Sequence, residues 1–118
     1  MYIDKLSVAP SFGLKLDKKL YKGAQKFYQL RDLPIQRDIF EKKVKKMEYW
    51  GDTNSELAHT VLEDNGCRTH LLCFRNSNMN NQQGIIIKKA NQYNEILRFI
   101  NNLDDDTIRA YEDYLIEM

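Results

Sequence analysis

Apolar residues near the start of the chain recur with the period of an α-helix. The members of this stripe are Leu16, Leu20, Ala24 and Phe27, at intervals of four, four and three residues. Such spacing places the side chains on one helical face. Asp17 stands where an N-cap residue is expected, so the pattern predicts a helix from there to about residue 30. The preceding segment SFGLKL (residues 11–16) alternates apolar with other residues and predicts a short strand.

A second helical pattern begins at Pro34. Proline disfavours the helical region for the residue before it, and its fixed φ suits the first position of a helix. The apolar face of this segment comprises Ile39, Phe40, Val44 and Met47. Gly51 follows the pattern and indicates that the helix ends before it.

The next segment, TNSELAHTVLEDNG (residues 53–66), fits two different structures. As a helix, it would begin with a capping box formed by Thr53 and Glu56 and would end at Gly66. As a strand, it would enter a two-residue type I′ turn at Asn65-Gly66. We favour the strand, because Asn-Gly between strand-like runs is the strongest short-range signal for a hairpin.

The hairpin alternative gives the following segment, CRTHLLCFR (residues 67–75), a defined alignment. This segment is rich in the residue types that strands favour. A two-residue turn sets Glu63 directly opposite Arg68, which is an opposite-charge pair of the kind that antiparallel strands favour. The helix alternative for residues 53–65 stays open at this stage.

The remaining third of the chain predicts one strand and two helices. NSNMNNQQ (residues 76–83) is a polar loop, and the three isoleucines of GIIIKK (residues 84–89) indicate a buried strand. A helical face follows at Tyr93, Ile96, Leu97, Ile100 and Leu103, and another at Ile108, Tyr111 and Leu115. The last helix would begin in the acidic run Asp104–Asp106.

These elements together predict one α+β domain that spans residues 1–118. A small antiparallel sheet of three to four strands, including the hairpin that turns at Asn65-Gly66, would pack with two N-terminal and two C-terminal helices. A chain of 118 residues is of ordinary size for one domain. Two prolines and five glycines leave little room for a long linker.

The net charge of +1 conceals an uneven distribution of charge. Residues 1–50 hold 12 Lys and Arg against 6 Asp and Glu, whereas residues 51–118 hold 6 against 11. The first residues lack the apolar run of a secretory signal, and no stretch approaches the roughly 20 apolar residues that span a bilayer. With two cysteines that fit a reducing compartment, we expect a cytoplasmic protein that does not contact a membrane.

Both histidines and both cysteines of the chain fall within residues 59–75. The hairpin alignment places His59 and His70 diagonally on one face, about 7–8 Å apart at Cα. A functional zinc site needs three or four ligands, and the nearest further carboxylate, Glu63, has Arg68 as its partner. We therefore expect no metal site and no catalytic pair, with the histidines at a half-covered surface. Whether they have a functional role stays open.

The two cysteines should point to the opposite face from the histidines. Cys67 and Cys73 are about 20 Å apart along an extended strand, whereas a disulfide needs Cα atoms within roughly 7 Å. A Cys-His nucleophile pair would need both side chains on one face. We expect the cysteines to be small apolar residues of the core.

A lysine-rich surface on the first two helices is the main candidate binding site. Its residues are Lys18, Lys19, Lys22, Lys26, Lys42, Lys43, Lys45 and Lys46, with Tyr49 and Trp50 beside them. Lysine fields bind backbone phosphates without reading sequence, and aromatic rings stack on bases. A solvated helix also places charge opposite its apolar face, which is the simpler interpretation. The acidic second half of a second copy is another candidate partner for this surface.

The acidic run and the aromatic chain ends have simpler explanations than catalysis. Three adjacent aspartates at Asp104–Asp106 complement the dipole of a helix start. Tyrosine, tryptophan and methionine near Glu48–Trp50 and Tyr111–Met118 are typical of interface cores, and also of ordinary core closure. No phosphate-binding loop and no hydrolase or metalloprotease motif occurs.

The sequence thus predicts a non-enzymatic module that binds a protein, either a foreign protein or a second copy of itself, and needs no cofactor. The alternative is nucleic-acid binding without sequence preference through the lysine-rich helices. An enzyme built on His59 and His70 is the least favoured hypothesis.

Overall fold

The computed structural model describes residues 13–77 and 84–117. In chain order its elements are β1 (Lys15–Leu16), α1 (Lys18–Leu30), α2 (Pro34–Met47), β2 (Ser55–Asp64), β3 (Cys67–Asn76), β4 (Ile85–Ala90), α3 (Tyr93–Asn101) and α4 (Asp105–Glu117). The prediction of an α+β fold with two helices on each sequence side of the hairpin is confirmed. The strand predicted for residues 11–16 is shorter in the structure, where β1 comprises only Lys15–Leu16 of residues 13–16. Its residues 11 and 12 lie outside the described residues.

The hairpin is the longest paired unit of the described chain. Residues 55–64 form a strand, so the helix alternative for this segment is wrong. β2 and β3 align in ten antiparallel pairs, with Asp64 opposite Cys67 next to the turn. Asn65 and Gly66 have φ values of 52° and 80°, the positive values that a type I′ turn requires. The predicted pair is also present, since Arg68 Nη2 lies 3.0 Å from Glu63 Oε1.

The sheet is mixed and has the order β1-β2-β3-β4. β1 pairs with β2 in parallel, with Lys15 opposite Glu56, so the prediction of an antiparallel sheet is wrong for this one strand. Parallel pairing needs a long crossover, and α1 and α2 together supply it. β3 and β4 are antiparallel, with an irregularity between Leu72 and Cys73.

Local side-chain hydrogen bonds explain where two of the helices begin. The Asp17 carboxylate accepts the Lys19 N–H at 3.1 Å, which satisfies one of the unpaired donors of the first turn of α1. Asp104 Oδ1 accepts the Thr107 N–H at 2.9 Å and the Thr107 hydroxyl at 2.7 Å. The capping interpretation of the acidic run is therefore confirmed at Asp104.

The core lies between one face of the sheet and the helices. Leu57, Leu72 and Phe74 are fully buried on that face, because side chains two residues apart share a face of a strand. They join buried residues from every described helix, namely Leu20, Phe40, Met47, Ile96, Ile100 and Ile108. No helix of the described residues is both long and apolar enough to span a membrane.

A set of hydrogen bonds attaches α4 to the base of the hairpin. Ser55 and Asn76 lie opposite each other and are 0% and 3% exposed. The Asn76 amide donates to Ser55 Oγ at 3.0 Å, and the Ser55 hydroxyl donates to Glu112 Oε2 at 2.6 Å. The same carboxylate oxygen accepts the Asp52 N–H at 2.6 Å. Since buried polar groups need partners, these bonds fix where α4 lies on the sheet.

The turn gives a direct test of the hairpin. A Cβ at position 66 would meet no atom within 4 Å, so a substitution there acts only through the positive φ. Gly66→Ala should lower the free energy of unfolding by about 1–2 kcal/mol. Gly66→Asn should lower it less, because asparagine tolerates this backbone region. Urea denaturation measures both, and equal losses in the two variants would contradict the type I′ geometry.

Candidate functional site

The two histidines form a stacked pair on the face that the helices cover. Val61 lies opposite His70 and Leu72 lies opposite His59, which is the predicted diagonal arrangement. His59 Nε2 and His70 Nδ1 are 2.9 Å apart, and the two rings are nearly parallel with centroids 5.1 Å apart. One of the two nitrogens must carry a hydrogen and the other must accept it.

Tyr93, at the start of α3, covers the histidine pair. Its ring centroid lies 4.8 Å from that of His59 and 5.9 Å from that of His70. The Tyr93 hydroxyl donates to the Leu20 carbonyl at 3.3 Å, which holds the ring between α1 and the hairpin. Burial is the main cause that raises the pKa of Tyr93 to about 12, so the phenol stays protonated at neutral pH.

The environment of the pair favours neutral imidazoles. Burial lowers the pKa of His59, and the charge of His70 lowers it further. Burial also lowers the pKa of His70, with a second contribution from the Arg68 guanidinium. The first added proton can bind an outer ring nitrogen while a single hydrogen stays between the two rings, whereas a second added proton would set N–H against N–H at the 2.9 Å contact. The pair therefore resists double protonation.

The pair supplies only two of the ligands that a zinc site needs. Among the described residues, no cluster of three or more His, Cys, Asp or Glu side chains could hold a metal ion. Two imidazoles fall short of the three or four protein ligands of functional zinc sites. The geometry suits a structural role in which the rings and Tyr93 fill the space below α3.

The cysteines do not lie in the core, and this expectation is wrong. Cys67 is exposed and Cys73 is half-buried. The predicted separation of faces is correct, but the helices cover the histidine face. The reason is that His59 and His70 share their faces of the strands with Leu57, Leu72 and Phe74, and these large apolar residues decide which face is buried. Burial raises the pKa of the Cys73 thiol, which keeps it protonated and weakly nucleophilic at neutral pH.

The structure divides the predicted lysine surface into separate parts. The exposed members are Lys18, Lys19, Lys22, Lys26, Lys42, Lys45 and Lys46. Lys43 is half-buried, because its ammonium donates to the Leu103 carbonyl at 3.0 Å and lies 5.3 Å from the ring centre of Trp50. Lys42 pairs with Asp38 one turn earlier on α2. Trp50 packs against the core, and Tyr49 is 74% exposed.

One groove brings lysines of different elements together. Lys15, Lys18 and Lys45 line a space of about 360 Å³ between β1, α1 and α2, above an apolar floor that includes Leu14 and Met47. Two carboxylates also line it, those of Glu41 and Glu48. The Tyr21 hydroxyl donates to Glu41 Oε2 at 2.7 Å. Because carboxylates repel phosphate, this groove is less suited to nucleic acid than the sequence indicated.

A larger and more apolar groove lies at the other edge of the sheet. We name it the β4–α4 groove. It has a volume of about 710 Å³, and its walls are Gly84, Ile85, Ile86 and Ile87 on the strand side and Ala110, Tyr111 and Tyr114 on α4. Ile86 is 51% exposed and Tyr114 is 55% exposed, whereas the Tyr111 ring contacts Phe74 with centroids 5.5 Å apart.

Sequence reasoning missed this groove as a site. It named the aromatic C-terminal segment as typical of an interface, but it placed the three isoleucines in a buried strand. Ile86 is exposed because it lies opposite Cys73, on the face of the sheet that the described helices do not cover. The available signal was the alternation itself, since one of three consecutive isoleucines must point away from a core on one face.

Comparisons with protein-family models, with curated proteins and with solved structures give no match for this chain. Its function must therefore be inferred from the surfaces described above.

The histidine pair gives a pH dependence of stability with a definite sign. The pKa values of His59 and His70 are lowered in the folded protein, so the unfolded chain binds more protons at these sites. Their contribution is complete above the ordinary histidine pKa of about 6.5. It is lost as the pH falls from there through the folded values.

We expect the free energy of unfolding of the natural chain to fall between about pH 7.5 and pH 5. The histidines contribute at most about 1.4 kcal/mol per pH unit for each proton. The double variant His59→Gln with His70→Gln should show a shallower dependence, which urea denaturation at a series of pH values would measure. The same dependence of unfolding free energy on pH in both proteins would contradict lowered pKa values of these histidines in the folded protein.

Proposed function

We propose that the protein is a non-enzymatic, cytoplasmic module that binds another protein through the β4–α4 groove. The observation that carries this proposal is one largely apolar groove of about 710 Å³ between Gly84–Ile87 and the α4 residues Ala110, Tyr111 and Tyr114, in which Tyr114 is 55% exposed. Continuous exposed apolar surface of this kind marks interaction sites. Tyrosine is also one of the residue types enriched in the contacts that dominate binding energy.

The arrangement of the reactive side chains supports a binding function over catalysis. The histidines lie on the helix-covered face and point their close nitrogens at each other. Cys67 and Cys73 lie on the other face and form no disulfide. Two thiols in the reduced form fit the reducing conditions of the cytoplasm.

A pair of variants on α4 tests the proposed function. Tyr114 lines the groove and is 55% exposed, whereas Ile116 is 65% exposed on the same helix but is not a wall of the groove. Tyr114→Arg should abolish capture of the partner from a nuclease-treated lysate of the source cell by the tagged full-length chain. Ile116→Arg should leave this capture unchanged, because it places the same charge away from the groove.

Circular dichroism and thermal unfolding of both variants control for misfolding. Two folded variants that capture the same proteins in equal amounts would contradict binding through the groove. Loss of capture in both variants, with the fold intact, would place the contact on another face of α4 and would also contradict the proposal.

The second candidate function is nucleic-acid binding without sequence preference. The observation that favours it is the groove that Lys15, Lys18 and Lys45 share. Such binding depends on released counterions and weakens steeply as salt rises. The carboxylates of Glu41 and Glu48 in the same groove make it the weaker candidate.

A charge reversal tests this alternative against a matched control. If the lysine groove binds phosphates, a labelled single-stranded oligonucleotide should bind at low salt, and Lys18→Glu should reduce the salt dependence of binding by about one phosphate contact. Lys89→Glu, also at an exposed position but outside this groove, should have little effect. Absence of a mobility shift with the natural chain at low salt would reject the alternative.

A further inference from the structure

The outer edge of β4 carries hydrogen-bonding groups that the described sheet does not use. β4 is the last strand of the order β1-β2-β3-β4, and its partner on one side is β3. Among residues 13–77 and 84–117, no backbone hydrogen bond reaches the other side of β4. Alternate N–H and C=O groups of an edge strand point outward and form a template for another strand.

This edge and the β4–α4 groove are the same place in the fold. The strand wall of the groove is the run from Gly84 to Ile87, and the helix wall is formed by Ala110, Tyr111 and Tyr114. A strand added to β4 would lie about 4.8 Å from it in the plane of the sheet, with the tyrosines of α4 on one of its faces. Its side chains would alternate between the helix side, where the tyrosines lie, and the side to which Ile86 points.

The shape of the groove therefore selects an extended chain. A peptide strand gains main-chain hydrogen bonds at such an edge, while pockets beside it bind alternate side chains. The apolar walls accept aliphatic residues at those alternate positions. A helix docked here would leave the outward groups of β4 without partners, at the cost of buried unpaired backbone.

The charges on α4 beside the groove indicate which residues of a partner segment would flank its aliphatic positions. Exposed carboxylates of α4 flank its groove-facing residues at helical spacing: Asp106 is four residues before Ala110, Asp113 is three after it, and Glu117 is three after Tyr114. Within the described residues none of these three carboxylates forms a close ion pair. Arg109 of the same helix pairs with Asp105 instead, at 3.0 Å. On the helix side of the groove these carboxylates complement lysine or arginine in a partner, whereas Lys88 and Lys89 follow the strand wall.

We propose that an extended segment of a partner protein adds to the outer edge of β4 as a further strand. The segment carries aliphatic side chains at alternate positions toward Tyr111 and Tyr114, and lysine or arginine beside them. This inference rests on the proposed function, because it specifies the form and chemistry of the protein that the groove binds.

A defined peptide tests strand addition directly. The probe is fluorescein-labelled Lys-Val-Thr-Val-Thr-Val-Lys, and its binding to the full chain is followed by fluorescence anisotropy. We expect saturable binding with slower amide exchange at Ile85–Ile87. Tyr114→Gln should weaken binding about tenfold, equivalent to about 1.4 kcal/mol. Ile116→Gln, the matched exposed position outside the groove, should leave it unchanged.

Two N-methylated forms of the probe examine the backbone hydrogen bonds. One is methylated at the amides of positions 2, 4 and 6, and the other at positions 3, 5 and 7. An added strand offers alternate amides to β4, so one form should lose binding and the other should keep it. Equal affinities of the two forms would overturn strand addition, although dependence on Tyr114 would leave binding in the groove intact.

The charge of the probe and the state of the protein give the remaining outcomes. Glutamate in place of both probe lysines should weaken binding about threefold at low salt. Equal or tighter binding would contradict the proposal that the partner segment carries basic residues.

A homodimer that Tyr114→Gln dissociates would place a second copy of this chain in the groove. That result would contradict binding of a segment from a different protein. Absence of probe binding at ~1 mM would overturn strand addition, while capture that depends on Tyr114 would still support the proposed function.

Discussion

The two-residue turn at Asn65-Gly66 is the constraint on which the rest of the structure depends. Because both residues adopt positive φ, the strands on either side pair without an offset in ten consecutive positions. A shift of one residue in either strand would move every side chain to the opposite face. The turn therefore decides that Leu57, Leu72 and Phe74 share one face, and this face is the one on which all the described helices pack.

The two edge strands of the sheet, β1 and β4, have different surroundings. β1 pairs with β2 at one edge over the two positions Lys15–Leu16, after which α1 and α2 cross over the core. The helix α4 is attached to the base of the hairpin, on the inner strand β2, through hydrogen bonds of Glu112 with Ser55 and the Asp52 amide. This attachment leaves Tyr114 beside β4 without covering the strand. The position of α4 thus follows from these hydrogen bonds, and within the described residues no strand pairs with the outer edge of β4; the proposed binding site depends on both.

Prediction from sequence succeeded where local chemistry decides the structure. The Asn-Gly turn, the Glu63–Arg68 pair and the cap at Asp104 all act between residues close in sequence, and each is present. The histidines and cysteines show the limit of the method. Their division between two faces follows from the period of a strand, but covering one face requires helices that come from both ends of the chain. The expectation that Cys67 lies in the core therefore failed.

The sequence by itself determined the uneven distribution of charge and predicted most element types, because period, turn residues and composition are local properties. For residues 53–65 it favoured the hairpin and left a helix open. The tertiary structure alone decided three matters. It placed the lysines of β1, α1 and α2 around a groove that also holds carboxylates, and it made β1 parallel to β2. It also left β4 at an edge beside the tyrosines of α4, because strand order and helix position arise from contacts between residues far apart in the chain.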